Sequence, residues 1–226
     1  MTMEIIHRDD LHRGGFAGLR ETRMVMDWRV FGQHKEQGAW NGIGSFVYLA
    51  DAKFLPKGET HMHNHREIDV ISVMVEGKVA HEGSLEHGQE MHAGHVQVQR
   101  AGGEGFSHNE INPDDAENRM IQLWALPERA GDPAGYKLFE PQVGELKRIY
   151  GGSTDQDETM DSHTLIDVGE LTANQTISID GPYMAYVTRG HGVVDGETVS
   201  DGDMIRGENL SFTAGEATQI IVVSSD

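Results

Sequence analysis

Apolar and polar residues alternate along this chain in short runs, and each run ends at a glycine or a proline. Val70-Ile71-Ser72-Val73-Met74-Val75 breaks at Glu76-Gly77, and Lys78-Val79-Ala80-His81 follows as a partner. Gly94-His95-Val96-Gln97-Val98-Gln99 alternates until Ala101-Gly102-Gly103, and Arg119-Met120-Ile121-Gln122-Leu123-Trp124 is closed by Pro127. A period of two between turn formers predicts strands. No stretch sustains the 3.6-residue period of a helix. The 28 glycines are spread through the chain rather than gathered in a linker, as the many turns of an all-β fold require.

The second half repeats this grammar. Ala185-Tyr186-Val187-Thr188-Arg189-Gly190-His191-Gly192-Val193-Val194-Asp195-Gly196 runs strand, glycine turn, strand, turn, like Ser72 to Gly83. Ser200 to Ile205 matches the strand entry at Gly94, and Gln219-Ile220-Ile221-Val222-Val223 supplies a closing strand. This self-similarity predicts two related β-barrels, divided near Phe139-Glu140-Pro141: residues 1–140 as a metal-binding barrel, 141–226 as a second without a metal site. The polar stretch from Gly151 to Glu158 reads as a surface loop.

The metal assignment comes from histidine spacing. His61-Met62-His63-Asn64-His65 puts three imidazoles at alternate positions, on one face of an extended segment. A strand rises about 3.3 Å per residue, so two of them reach a common point and a third overshoots. His63 and His65 stand nearest the apolar run, whereas His61 lies toward the loop at Pro56-Lys57-Gly58-Glu59. Position therefore favours His63 with His65 over His61 with His63. His108-Asn109-Glu110 repeats the spacing after Gly102-Gly103-Glu104-Gly105. Two such pairs on neighbouring antiparallel strands form a His3Glu set suited to Fe(II), Mn, Ni, Cu or Zn. Such a set leaves one or two positions open, as a catalytic site needs. His81, His87, His92 and His95 cluster around a hairpin and read as surface or turn residues; His191 reads as structural. Where the first half has His-x-His, the second has Ile177-Ser178-Ile179-Asp180.

Composition narrows the classes further. The chain has 226 residues, no cysteine and a net charge of −19. Disulfides and thiolate metal sites are excluded. Residues 151–226 hold 14 acids against two arginines, a surplus that disfavours nucleic acid and anionic membrane as partners. No apolar run is long enough for a signal peptide or a membrane helix, so a soluble cytoplasmic protein is expected.

The segment Met62-His63-Asn64-His65-Arg66-Glu67-Ile68-Asp69-Val70-Ile71-Ser72-Val73-Met74-Val75-Glu76-Gly77-Lys78-Val79-Ala80-His81-Glu82-Gly83-Ser84-Leu85 resembles the signature of the pirin family of bicupins. Ala93 to Glu110 resembles the family's second motif, with weaker echoes at Gln122-Leu123-Trp124 and Phe31-Gly32-Gln33. The likeness covers roughly residues 28–141. It implies two cupin-type jelly-roll barrels and one metal held by His63, His65, His108 and Glu110. The metal it implies is most often iron, and for bacterial members the activity is a quercetin 2,3-dioxygenase. In that outline a flavonol or similar enol binds the metal, Glu110 removes its hydroxyl proton as general base, and the enolate reacts with O2. Asn64 stands where the family usually has proline, and Arg100 and Glu104 make the approach to the second motif more charged than usual. Two other functions stay open: an enzyme acting on a different substrate, and a non-enzymatic metal- or redox-sensing regulator that binds a protein partner.

Overall fold

The structure is a computed structural model and describes residues 3–85 and 88–225; His87, expected in a turn, lies outside the described residues. The fold is almost entirely antiparallel sheet, in two compact units. One unit comprises Leu11–Asn41 and Ser45–Glu140. Its seven-stranded sheet runs in the order Gly135–Phe139, Val96–Arg100, Asp69–Glu76, Arg119–Ala125, Phe46–Phe54, Leu19–Met26, Arg13–Phe16. A four-stranded sheet, in the order His63–His65, Phe106–Ile111, Lys78–Gly83, Glu90–His92, faces it. The two sheets meet through side chains, because Glu110 of the smaller bonds to Ser72 and Gln122 of the larger.

The strands form where the alternation places them. Asp69–Glu76 is buried at seven of its eight residues, and Gly77 then takes φ 72 to reverse the chain, a conformation that glycine adopts without a Cβ penalty. Between the sheets Phe54, Met74, Val79, Met91 and Met120 make an apolar cluster. Asp51 and Arg119, each 3% exposed at the side chain, form a bidentate ion pair across neighbouring strands.

The other unit comprises Met1–Asp10, Gly42–Gly44 and Pro141–Asp226. Its eight-stranded sheet is built on the long strands Ser162–Leu171, Thr176–Arg189, Asp203–Ala214 and Thr218–Ser225. Tyr183, Val187, Ile205, Phe212 and Ile220 fill its core. The division is discontinuous where a single cut at 140/141 was expected. Glu4–His7 pairs antiparallel with the strand Asp203–Ala214, in a register that sets Ile5 opposite Ile205. Arg8 binds Asp201 at 2.8 Å, so the N-terminal segment joins the second unit. One helical turn, Trp28–Phe31, is capped by Asp27 and is too short to leave a period in the sequence.

Candidate metal centre and its cavity

Register brings the histidines together. On one side of Phe106–Ile111, His108 pairs with His63 and Phe106 with His65. On its other side His108 pairs with Gly83 and Glu110 with His81. Gly83 has to be glycine, since a Cβ there would overlap the carbonyl oxygen of Ser107 and press on His108. The strand carrying His63 and His65 starts only after His61, which takes φ 63 and turns its exposed side chain toward Glu59 at 3.6 Å. The expectation that His61 shares a strand face with the other two is therefore corrected: a positive φ removes it from the extended segment.

His108 Nε2 lies 3.0 Å from His63 Nε2 and 3.2 Å from His65 Nε2. The ligand atoms of His63, His65 and His108 all fall within 4.8 Å of one another, and this convergent group does not include Glu110. Burial, followed by the neighbouring His63, lowers the pKa of His65 to about 4 and that of His108 to about 2. Both are neutral at pH 7, with lone pairs available. The proton of His63 is fixed by the backbone: its Nδ1 lies 2.9 Å from the carbonyl oxygen of His61, which can only accept. The tautomer with its proton on Nδ1 leaves the Nε2 lone pair of His63 aimed at the other two rings. The donor set fits a transition metal, because two nitrogens on adjacent positions of one ion, each about 2.1 Å from it, lie about 3.0 Å apart.

Glu110 sits beside this group, buried. Ser72 Oγ donates to its Oε1 at 3.1 Å and Gln122 Nε2 to its Oε2 at 3.3 Å. Burial outweighs both bonds and raises its pKa to about 7, so near neutrality it both holds and releases a proton. His81 corrects a second expectation. It is fully buried, not a surface or turn residue. Its Nε2 accepts from Gln99 Nε2 at 3.1 Å, Gln97 supports Gln99 at 2.8 Å, and its ring lies 5.4 Å from that of His108. The signal was in the alternation, since His81 follows buried Val79 at spacing two. His92, the last residue of the strand Glu90–His92, is exposed, and His95 beyond it is half-buried.

A cavity of about 480 Å³ opens onto His63, His65 and Glu110. Phe31, Tyr48 and Trp124 stack along it, with Tyr48 and Trp124 centroids 4.3 Å apart and Trp124 5.8 Å from His65. Glu21 and Arg23, two strands away from Gln122 in the sheet, also line it. Burial and the Glu21 carboxylate push the Tyr48 phenol up, which keeps it a neutral donor. Neither Arg100 nor Glu104 lines this cavity. Arg100 is buried between Asp69 at 3.6 Å and Asp132 at 3.5 Å.

The family model for pirin matches residues 29–125, the stretch that carries all three converging histidines and Glu110. Residues 29–125 are a pirin domain. A Zymomonas mobilis protein provisionally named a quercetin 2,3-dioxygenase is 27% identical over 187 residues, 76% of this chain and 79% of its own. Quercetin 2,3-dioxygenase of Escherichia coli O157:H7 is 23% identical over 71% of this chain and 73% of its own. Among solved structures, the bacterial pirin YhhW of E. coli in complex with nickel(II) superposes with a TM-score of 0.82 at 16% identity, covering 98% of both chains. These likenesses show a two-barrel pirin fold with cupin-type barrels. No helix among the described residues is long and apolar enough to cross a membrane.

Proposed function

We propose that the pirin domain holds one divalent transition metal, Fe(II) in preference to Mn, Ni, Cu or Zn, and oxidises a flavonol such as quercetin or a similar enol with O2. The observation that carries this reading is the convergence of three imidazole nitrogens beside a buried carboxylate in an aromatic-walled cavity. His63, His65 and His108 would be the ligands, joined by Glu110 as fourth ligand or with Glu110 left as the adjacent base. The metal, when bound, would supply Lewis acidity toward an enol oxygen and one-electron chemistry toward O2.

The rest is work for the protein's own groups. Phe31, Tyr48 and Trp124 offer a flat apolar wall that orients an aromatic plane. Glu110, with a pKa of about 7, takes the enol proton on a carboxylate oxygen; such matching of pKa to working pH maximises general-base transfer. Ser72 and Gln122 hold that carboxylate in one orientation through the exchange. Burial of His65 and His108 keeps protons from competing for those two ligand nitrogens above about pH 5.

The test is elemental analysis of anaerobically purified protein joined to a flavonol oxidation assay. Stoichiometric metal, quercetin consumption with O2 uptake, loss on chelation and recovery with Fe(II) or Mn(II) are expected. Metal-loaded protein that consumes neither quercetin nor any other enol would overturn the enzymatic reading and leave the regulator.

A further inference from the structure

The far end of the cavity is built as carefully as the end near the histidines, and metal binding does not account for it. Glu21 is 5% exposed and lines the cavity. Its Oε1 accepts from Arg23 Nε at 2.8 Å and from Arg23 Nη2 at 2.5 Å, and its Oε2 accepts from the Tyr48 hydroxyl at 3.1 Å. A carboxylate has about four acceptor positions, so these three bonds leave one on Oε2. Arg23 is spoken for, because its Nη1 also donates to Glu36 at 2.8 Å. Two carboxylates around one guanidinium leave a surplus negative charge at this wall.

Sheet register sets the distance between the two ends. Arg23 pairs with Ala50, and Ala50 with Gln122, the residue that holds Glu110. Glu21 pairs with Ala52, and Ala52 with Met120. Two strand spacings, about 10 Å, therefore separate the wall from the Gln122 row, and the alanines between them project little into the space. The stacked rings of Trp124 and Tyr48 run along the same path from His65 to Glu21.

Resting on the flavonol reading above, we propose that Glu21, held by Arg23 and Tyr48, is the specificity-determining group for the end of the ligand remote from the histidines. It selects flat aromatic ligands that carry neutral hydroxyl donors there, as a phenol or catechol does, and rejects ligands that carry a carboxylate there. A hydroxyl donates to the remaining position on Glu21 Oε2. A carboxylate has no proton to give and meets a wall of its own sign, where the guanidinium of Arg23 is already shared between two acids.

Equilibrium binding to Zn(II)-loaded protein without O2 separates recognition from turnover. The probes are quercetin, 3-hydroxyflavone, which lacks the other hydroxyls, and 3-hydroxyflavone with a carboxylate at the 4′ position. Quercetin is expected to bind about tenfold tighter than 3-hydroxyflavone, the effect of one hydrogen bond to a charged acceptor. The carboxylated probe is expected to bind at least about tenfold weaker than 3-hydroxyflavone. Glu21→Gln should shrink both ratios at unchanged zinc content, whereas Tyr48→Phe, which frees a second position on Glu21, should keep the quercetin preference. Equal binding of quercetin and 3-hydroxyflavone to the wild-type protein, or a carboxylated probe that binds as well as either, would overturn the assignment even if Glu21→Gln does not fold. An undiminished quercetin preference in folded Glu21→Gln would overturn it too. Binding of no flavonol at all would remove the flavonol reading along with it.

Discussion

Replacing Glu110 by glutamine should stabilise the metal-free protein, by an amount that grows with pH. The carboxyl is fully buried and its pKa rises from 4.5 to about 7. Because the folded value lies above the unfolded one, the native state holds more protons between those pH values, and stability falls as pH rises through that window. Each pKa unit is worth about 1.4 kcal/mol, so above pH 7 the ionised carboxylate costs the apo fold about 3 kcal/mol. Glutamine removes the charge and keeps the shape: its amide oxygen still accepts from Ser72, and Gln122 must turn its carboxamide to present oxygen. His65 and His108, whose lowered values make stability fall as pH drops below about 6.5, are common to both proteins and cancel in the difference. Urea unfolding in EDTA from pH 4.5 to 8.5 measures it. The two proteins should coincide at pH 4.5 and separate by about 3 kcal/mol by pH 8. A difference that does not change with pH, or a variant less stable at pH 8, would refute the reasoning. One equivalent of Zn(II) at pH 8 should then stabilise the wild type more than the variant, because the cation offsets the buried charge.

His108→Ala removes the nitrogen common to both short approaches and should abolish stoichiometric metal in elemental analysis while the fold, read by circular dichroism, persists. Gly83→Ala should push the His108 strand aside through the Ser107 carbonyl, lowering the melting temperature and weakening zinc binding by about tenfold or more, by titration against a competing chelator. Asp51→Ala leaves Arg119 buried without its bidentate partner and should cost about 3 to 5 kcal/mol in denaturant unfolding.

The parts of the site legible in the sequence were those written at spacing two on a single strand. His63 and His65, and His108 with Glu110, could be paired from the chain alone because alternate residues of a strand share a face. His81 obeys the same rule with Val79, yet four histidines in one hairpin region suggested a turn, and burial is decided by the facing sheet. His61 could not be separated from its neighbours by pattern, since a positive φ at a non-glycine residue leaves no periodic mark. Glu21, Arg23 and Tyr48 belong to two strands far from the histidines in the chain, and only register brings them to the same cavity. The N-terminal strand joined the second unit for a similar reason: four residues carry too little alternation to name the edge they will pair with.

Two of the three imidazoles ride on a three-residue strand at the margin of its sheet, hydrogen-bonded to a neighbour on one side only. Such a segment opens at little cost by itself, and an ion bridging it to His108 would fasten it as a clasp does. Release of metal and fraying of this edge then become a single event, so amide hydrogen exchange at His63 and His65, the alternate residues whose N–H groups face the neighbouring strand, should report occupancy directly, without any substrate being turned over.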